Sequence, residues 1–108
     1  VMAYGNAKAA INNFTEWLAC HLAPSGLRVN AIAPGFFLTT QNEQLLMGDN
    51  NTPTPRCAKI LANTPQNRLG TPKDLLGGVL FLVDDDAAAF VNGIVLPVDG
   101  GFNAYSGV

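Results

Sequence analysis

A short aliphatic segment, Leu27 to Ala33, most constrains the fold of this chain. It follows a long helical segment and is bounded by Gly26 and by Pro34-Gly35. An aliphatic run of this length between turn residues is typical of a strand that is buried on both faces of a parallel sheet. In such α/β sheets a ligand lies beyond the carboxyl ends of the strands. We therefore expect an α/β fold with a ligand site near Pro34-Gly35.

The helical segment before this strand runs from Met2 to about Leu22. Its apolar residues recur at spacings of three and four: Ala7, Ile11, Phe14 and Leu18, flanked by Ala10, Trp17 and His21. This periodicity predicts an amphipathic helix. Tyr4 and Lys8 lie at the edge of the apolar stripe, where we expect each side chain to be partly buried and to face a cleft. A second face of small residues is expected to meet a partner helix: Ala9, Asn13, Glu16 and Cys20.

Residues 36–66 are the least regular part of the sequence. One or two helical turns are predicted within residues 41–47, and Thr54-Pro55 predicts the cap and first residue of a helix that continues through residues 56–62. A segment of this length after a strand that ends at a ligand site is a candidate substrate lid. The alternative is a solvated surface excursion.

A second long helix is predicted to begin at Thr71-Pro72, with a capping hydroxyl, and to continue as an almost wholly apolar helix to Val83. Gly77-Gly78 within it would allow another backbone to approach closely. Residues 84–86 are three aspartates, which we interpret as a polar turn that caps a short helix over residues 87–90 and not as a metal site. Gly93 to Val98 is the second predicted strand, and Pro97 suggests a sheet edge.

Two strands do not make a stable parallel sheet. We therefore expect the chain to be incomplete by itself: either the remaining strands belong to a segment outside these 108 residues, or this chain is a fragment that associates with another chain. The predicted fold class is the carboxy-terminal portion of a Rossmann-like, doubly wound parallel sheet, with two strands and two to four helices.

Charge and composition exclude several classes of function. A net charge of −2 without a basic cluster gives no electrostatic surface for nucleic acid. No stretch approaches the roughly 20 apolar residues of a membrane span, and there is no signal-peptide pattern. A cytoplasmic protein is expected. Cys20 and Cys57 are too few for a disulfide framework or a zinc site, so reduced and packed thiols are expected.

Tyr4 and Lys8 are the candidate chemical groups. Four residues apart on a helix, the phenol and the ammonium project from the same face. Free tyrosine has a pKa of about 10, so a tyrosine needs a nearby positive charge before it can exchange a proton near neutral pH. Lys8 is placed to supply that charge.

Four blocks of sequence occur in a fixed order: Tyr4-x-x-x-Lys8, Val29-Asn30-Ala31-Ile32-Ala33-Pro34-Gly35, Arg68-Leu69-Gly70-Thr71-Pro72 and Val98-Asp99-Gly100-Gly101. In this order and spacing, nearly the whole chain resembles the carboxy-terminal half of a short-chain dehydrogenase/reductase. The ending from Phe102 to Val108 more narrowly resembles the D-mannonate (fructuronate) oxidoreductases of that family.

The resemblance implies a role for each matching residue. Tyr4 would be the catalytic acid/base, and Lys8 would assist it and hold the ribose hydroxyls of NAD or NADP. Backbone groups near Pro34-Gly35 and at Phe37 would hold the nicotinamide carboxamide, and the Thr39 hydroxyl would also contact the cofactor.

The family's catalytic serine, its relay asparagine, its glycine-rich pyrophosphate loop and the determinant of NAD against NADP precede the tyrosine. None of them is in this sequence, so we expect the chain alone to be inactive.

The implied function is the interconversion of a secondary alcohol and a ketone, with D-mannonate and D-fructuronate as the expected pair. Alternatives are another polyol, a 3-oxoacyl thioester, or a noncatalytic module retained for oligomerisation or binding. For a sugar acid, the candidate cations in the middle of the chain are Arg56, Lys59 and Arg68, although the sequence does not single out any of them. Uncovered apolar surface and the resemblance together predict a homo-oligomer, with a tetramer expected.

Overall fold

The computed structural model describes residues 1–107. Val108, the last residue of the ending that resembles the mannonate oxidoreductases, lies outside the described residues. The α-helices are α1 (Met2–Leu22), α2 (Glu43–Leu46), α3 (Pro55–Ala62) and α4 (Pro72–Val83), and the strands are β1 (Ala31–Pro34) and β2 (Val95–Val98). A single 3-10 turn, Ala23–Ser25, follows α1. The two strands pair in parallel, which confirms the predicted α/β class.

The chain divides into two compact units. The first contains Val1–Ala33 and Gly78–Leu96, and the second contains Pro34–Gly77 together with the residues from Pro97 onward. Each unit has its own packing.

In the first unit, α1 buries a face that the periodicity did not predict. Its buried residues are Thr15 and Ala19, whereas Ile11 and Phe14 of the predicted stripe are each more than half exposed. Gly93 lies against Ala19, because a Cβ atom built on Gly93 would be 3.3 Å from the Cβ atom of Ala19. The prediction that this apolar stripe of α1 is buried is therefore wrong within the described residues.

The strands are shorter than predicted because asparagine side chains replace part of the backbone ladder. The N–H of Val29 donates to Oδ1 of Asn92 at 2.8 Å, and the N–H of Ile94 donates to Oδ1 of Asn30 at 3.1 Å. The Gly93 N–H still donates to the Val29 carbonyl at 2.8 Å, and the regular strands begin where the Ala31 N–H donates to the Ile94 carbonyl at 2.9 Å. The strand residues are half-buried or exposed, so the predicted burial on both faces is also wrong within these residues.

The aspartate segment after α4 forms a turn, as predicted. The Asp84 carboxylate accepts hydrogen bonds from the N–H groups of Asp86 and Ala87 at 2.9 and 2.8 Å. These two hydrogen bonds lower the pKa of Asp84, and the bond from Ala87 has the larger effect. Residues 87–90 continue as turns, so the short helix predicted there is absent.

In the second unit, a small core orders the middle segment. Leu46 of α2 packs with Cys57 and Ile60 of α3. The start of α3 is as predicted, with the Thr54 hydroxyl accepting from the Cys57 N–H at 3.2 Å. Cys57 is a fully buried free thiol, whereas Cys20 is free and exposed, which corrects its predicted packing.

Helix α4 has no buried residue, although it is the most apolar helix. A Cβ atom on Gly77 would meet nothing within 4 Å, so the close backbone approach predicted there is not made at Gly77 by the described residues. Over residues 1–107, no helix combines the length and the hydropathy that crossing a bilayer requires.

Candidate active site

Tyr4 and Lys8 lie one turn apart near the start of α1. The Lys8 Nζ atom is 5.4 Å from the centroid of the Tyr4 ring, within the range in which a cation and an aromatic face attract each other. The shared helical face predicted from their spacing is therefore present. Tyr4 is 69% exposed in this chain, so the partial burial predicted for it is wrong within these residues. The pair presents a phenol and an ammonium to the same open space.

Gly35 follows β1 directly and marks the carboxyl end of the sheet. Its N–H donates to the Val98 carbonyl at 3.0 Å. A Cβ atom at this position would lie 2.6 Å from the Cα atom of Asp99, a distance that no side chain tolerates without a backbone shift. Pro34 thus ends β1, while Gly35 stays in contact with the end of β2.

Phe37 is held by a parallel bridge to Gly70. The N–H of Leu38 donates to the Gly70 carbonyl at 3.0 Å, and the Gly70 N–H donates to the Phe36 carbonyl at 2.8 Å. In a parallel bridge these flanking groups make the pairing, so the N–H and C=O of Phe37 itself point to the opposite side. Among residues 1–107, no hydrogen bond uses the Phe37 N–H.

Asn42 fastens the loop formed by residues 36–39, a role that was not predicted from the sequence. Its Nδ2 donates to the Phe37 carbonyl at 2.7 Å, and its Oδ1 accepts from the Thr39 N–H at 2.8 Å. Thr39 is exposed. Asparagine favours such local bonds to nearby backbone, and that preference is the signal that could have found it. The loop therefore leaves the N–H of the half-buried Phe37 without a hydrogen bond among the described residues, and it leaves Thr39 exposed.

Arg68 and Asp74 form a two-point ion pair next to this loop. Nη1 and Nη2 of Arg68 lie 2.8 and 2.7 Å from the two carboxylate oxygens of Asp74. The hydrogen bond from Arg68, and then those from Thr71, hold the pKa of the Asp74 carboxyl well below its usual range, while Asp74 raises the pKa of Arg68. The hydroxyl of Thr71, which was predicted to cap α4, acts here as a donor. It donates to the Asp74 carboxylate at 2.9 Å.

A cleft of about 380 Å³ lies inside the second unit, beside the loop. Its lining includes Phe37, Arg68, Asp74 and Asp99. Acidic, basic and aromatic groups thus surround one space at the carboxyl end of β2.

The candidate residues fall into two groups, one in each unit. Tyr4 and Lys8 belong to the first unit, and the second unit contains Pro34, Gly35, Phe37 and Thr39. Within each group the residues are neighbours. No group of three or more potential metal ligands occurs in the described part of the chain.

The sequence matches the profile of a family described as enoyl-(acyl carrier protein) reductase over residues 1–103. The chain belongs to the short-chain dehydrogenase/reductase family. This membership confirms the resemblance carried by the four sequence blocks. An uncharacterized oxidoreductase, UxuB of Bacillus subtilis (strain 168), is 61% identical to the chain. The match covers 100% of the chain and 39% of that relative.

Two solved structures are similar to this short-chain dehydrogenase/reductase chain. One is a candidate D-mannonate oxidoreductase from Haemophilus influenzae with bound NAD, at 57% identity and a TM-score of 0.92; the match covers 100% of the chain and 39% of that protein. The other is a candidate NAD(P)-dependent gluconate 5-dehydrogenase from Beutenbergia cavernae with bound NADP, at 41% identity and a TM-score of 0.81. This match covers 94% of the chain and 39% of that protein. The chain thus spans about two-fifths of the proteins it matches.

Proposed function

We propose that the chain is the carboxy-terminal part of one dehydrogenase domain, in a protein that uses NAD or NADP to interconvert a secondary alcohol and a ketone. One observation carries this proposal. A structure with bound NAD is 57% identical to the chain and superposes on it along its whole length with a TM-score of 0.92. Similarity at this level over the entire chain favours a shared cofactor and a shared class of reaction.

The residues of the second unit fit the nicotinamide end of such a cofactor. A carboxamide needs a donor for its oxygen and an acceptor for its NH₂ group. The unused N–H of Phe37 supplies the donor, and its carbonyl, which has two lone pairs, supplies an acceptor besides the bond from Asn42. Thr39 adds an exposed hydroxyl. We assign the ribose hydroxyls to Lys8, as the family resemblance implies.

Tyr4 handles the proton in this proposal. In reduction, its phenol donates a proton to the carbonyl oxygen while the carbonyl carbon becomes the carbinol carbon, and in oxidation the phenolate takes the proton back. When bound, the cofactor supplies or accepts the hydride. The positive charge of Lys8 lies over one face of the Tyr4 ring, 5.4 Å from its centroid.

The proposed substrate pair is D-mannonate and D-fructuronate. A sugar acid needs a cation for its carboxylate. Arg68 is engaged by Asp74, whereas Arg56 and Lys59 line an open recess of about 390 Å³ with Phe36. We assign the substrate lid to residues 36–66, which include this recess. The carboxylate would bind there, at the edge of the lid.

Another sugar acid is the second candidate, supported by the similarity to a candidate gluconate 5-dehydrogenase. A 3-oxoacyl thioester and a noncatalytic binding module remain alternatives of different chemistry. We also propose a homotetramer, because α4 has no buried residue in this chain and such apolar surface favours a partner.

The test is an assay of the full-length protein with each cofactor and with D-fructuronate, D-gluconate and a 3-oxoacyl thioester. We expect reduction of D-fructuronate with NADH or NADPH and a clearly lower kcat/KM for the other substrates. Turnover of only the thioester would overturn the sugar-acid assignment, and cofactor binding without any turnover would favour the noncatalytic module. Light scattering on the same material tests the tetramer, and a monomer mass would contradict it.

A further inference from the structure

We propose that Arg68 and Asp74 form a latch that sets the position of the loop of residues 36–39 and thereby the affinity for the nicotinamide end of the cofactor. The latch consists of this ion pair and the Gly70 bridge. The inference rests on the proposed function, because it assigns the loop to nicotinamide. It makes Arg68, Gly70 and Asp74 positioning residues, since they act through Phe37.

The first step is that the ion pair closes a short ring of chain around Gly70. Arg68 precedes Gly70 by two residues and Asp74 follows it by four, and their side chains meet through two hydrogen bonds of 2.7 and 2.8 Å. Asp74 also accepts from the Thr71 N–H at 2.8 Å. Two parallel bonds fix both distance and orientation, so the backbone between these residues has little freedom.

The second step is that Gly70 transmits this position to the loop. It donates to the Phe36 carbonyl and accepts from the Leu38 N–H. A Cβ atom on Gly70 would lie 2.7 Å from the Cε1 atom of the Phe37 ring, so the ring rests directly against the glycine. A shift of Gly70 therefore moves the Phe37 backbone, whose N–H is the proposed carboxamide donor.

The third step concerns the kind of side chain that the latch requires. A guanidinium presents its donors as a planar fork that matches both oxygens of a carboxylate, whereas an ammonium is a point charge. Lysine at position 68 can keep the charge but not the two-point geometry. The latch thus predicts that geometry matters beyond charge, which a general electrostatic effect does not.

The experiment compares the full-length wild-type protein with Arg68→Gln, Arg68→Lys and Asp74→Asn. The matched control is Lys73→Gln, which removes an exposed cation from the same segment. Two ligands are titrated into each protein: NAD(H), and ADP-ribose, which lacks nicotinamide. Hydrogen exchange at the amides of Leu38 and Gly70, which donate across the bridge, reports the loop without any ligand.

We expect Arg68→Gln and Asp74→Asn to raise the Kd for NAD(H) roughly tenfold, as the loss of one charged positioning contact would. Arg68→Lys should recover only part of this affinity. The Kd for ADP-ribose should stay within about twofold of wild type, as should both affinities in Lys73→Gln. Exchange at Leu38 and Gly70 should accelerate in Arg68→Gln and Asp74→Asn alone.

Three results would overturn the latch: unchanged exchange at Leu38 and Gly70, equal losses for NAD(H) and ADP-ribose, or full recovery by lysine. If Arg68→Gln does not fold, Arg68→Lys and Asp74→Asn give the same comparison. Failure of the proposed cofactor use gives a different pattern, because the wild-type protein would then bind neither ligand. The exchange data would still support or contradict the latch.

Discussion

Gly35 and Asp99 approach each other so closely that a Cβ atom on Gly35 would lie 2.6 Å from both the Cα and the Cβ atoms of Asp99. Backbone atoms cannot move aside as the end of a flexible side chain can. Glycine is therefore required at the point where the loop of residues 36–39 leaves β1, for reasons of space and independently of any role in binding.

We predict that Gly35→Ala both destabilises the protein and weakens cofactor binding. The added methyl group forces a backbone shift that costs about 1–3 kcal/mol, and the shift displaces the loop that carries Phe37. Thermal unfolding and NAD(H) titration of the full-length protein measure the two effects.

Gly48→Ala is the matched control for Gly35→Ala, because a Cβ atom on Gly48 would make only ordinary contacts of 3.5 Å with Thr52. A Gly35→Ala protein with the stability and affinity of this control would show that the chain relaxes around the methyl group.

The elements that the sequence predicted well carry their own local signals. Thr54-Pro55 fixes the start of α3 because both the cap and the first position are encoded in adjacent residues. The Tyr4 and Lys8 pair follows from helical geometry alone. Family membership was predictable because four blocks in order are more specific than any one of them.

The features that the sequence did not predict depend on distant partners. The strands are shortened by Asn30 and Asn92, which are 62 positions apart in the sequence and whose bonds no local pattern reveals. The burial of Ala19 accompanies contacts with the distant Asn92, which donates to the Ala19 carbonyl at 3.3 Å, and with Gly93. The roles of Asn42 and Gly70 likewise emerge only when the loop of residues 36–39 meets its neighbours.

Tyr4→Phe should lower kcat by about 10²- to 10⁴-fold, the usual contribution of a general acid/base, while the affinity for NAD(H) stays near that of wild type. Only the proton donor is lost, and the ring that faces Lys8 remains. Steady-state kinetics and cofactor titration separate the two quantities. Tyr105→Phe removes the same hydroxyl from the other tyrosine and should leave kcat unchanged. A Tyr4→Phe enzyme within about twofold of wild type would exclude Tyr4 from proton transfer.

Lys8→Met should impair both cofactor affinity and turnover, because one ammonium serves the ribose and the phenol. Methionine keeps most of the length and apolar character of the side chain but lacks its charge. Steady-state kinetics and NAD(H) titration of the full-length protein measure the two effects separately. Loss of affinity with an unchanged kcat would restrict Lys8 to ribose binding.

The last prediction concerns acid stability, through the Asp74 carboxyl. Its pKa is lowered in the folded protein, chiefly by the hydrogen bond from Arg68. An unfolded aspartate titrates near pH 4, so the ion pair contributes its full stability above about that pH and loses it as the pH falls through the lower folded-state pKa. Asp74→Asn removes this dependence.

We therefore expect Asp74→Asn to be less stable than wild type at neutral pH, with a difference that shrinks progressively below about pH 4. Urea unfolding of the full-length proteins at a series of pH values measures it. Asp49→Asn, at an exposed carboxyl in the turn after α2, provides the reference for removing a negative charge. A gap between Asp74→Asn and wild type that stays constant from neutral to strongly acidic pH would mean that the ionised carboxylate adds no stability beyond what asparagine provides.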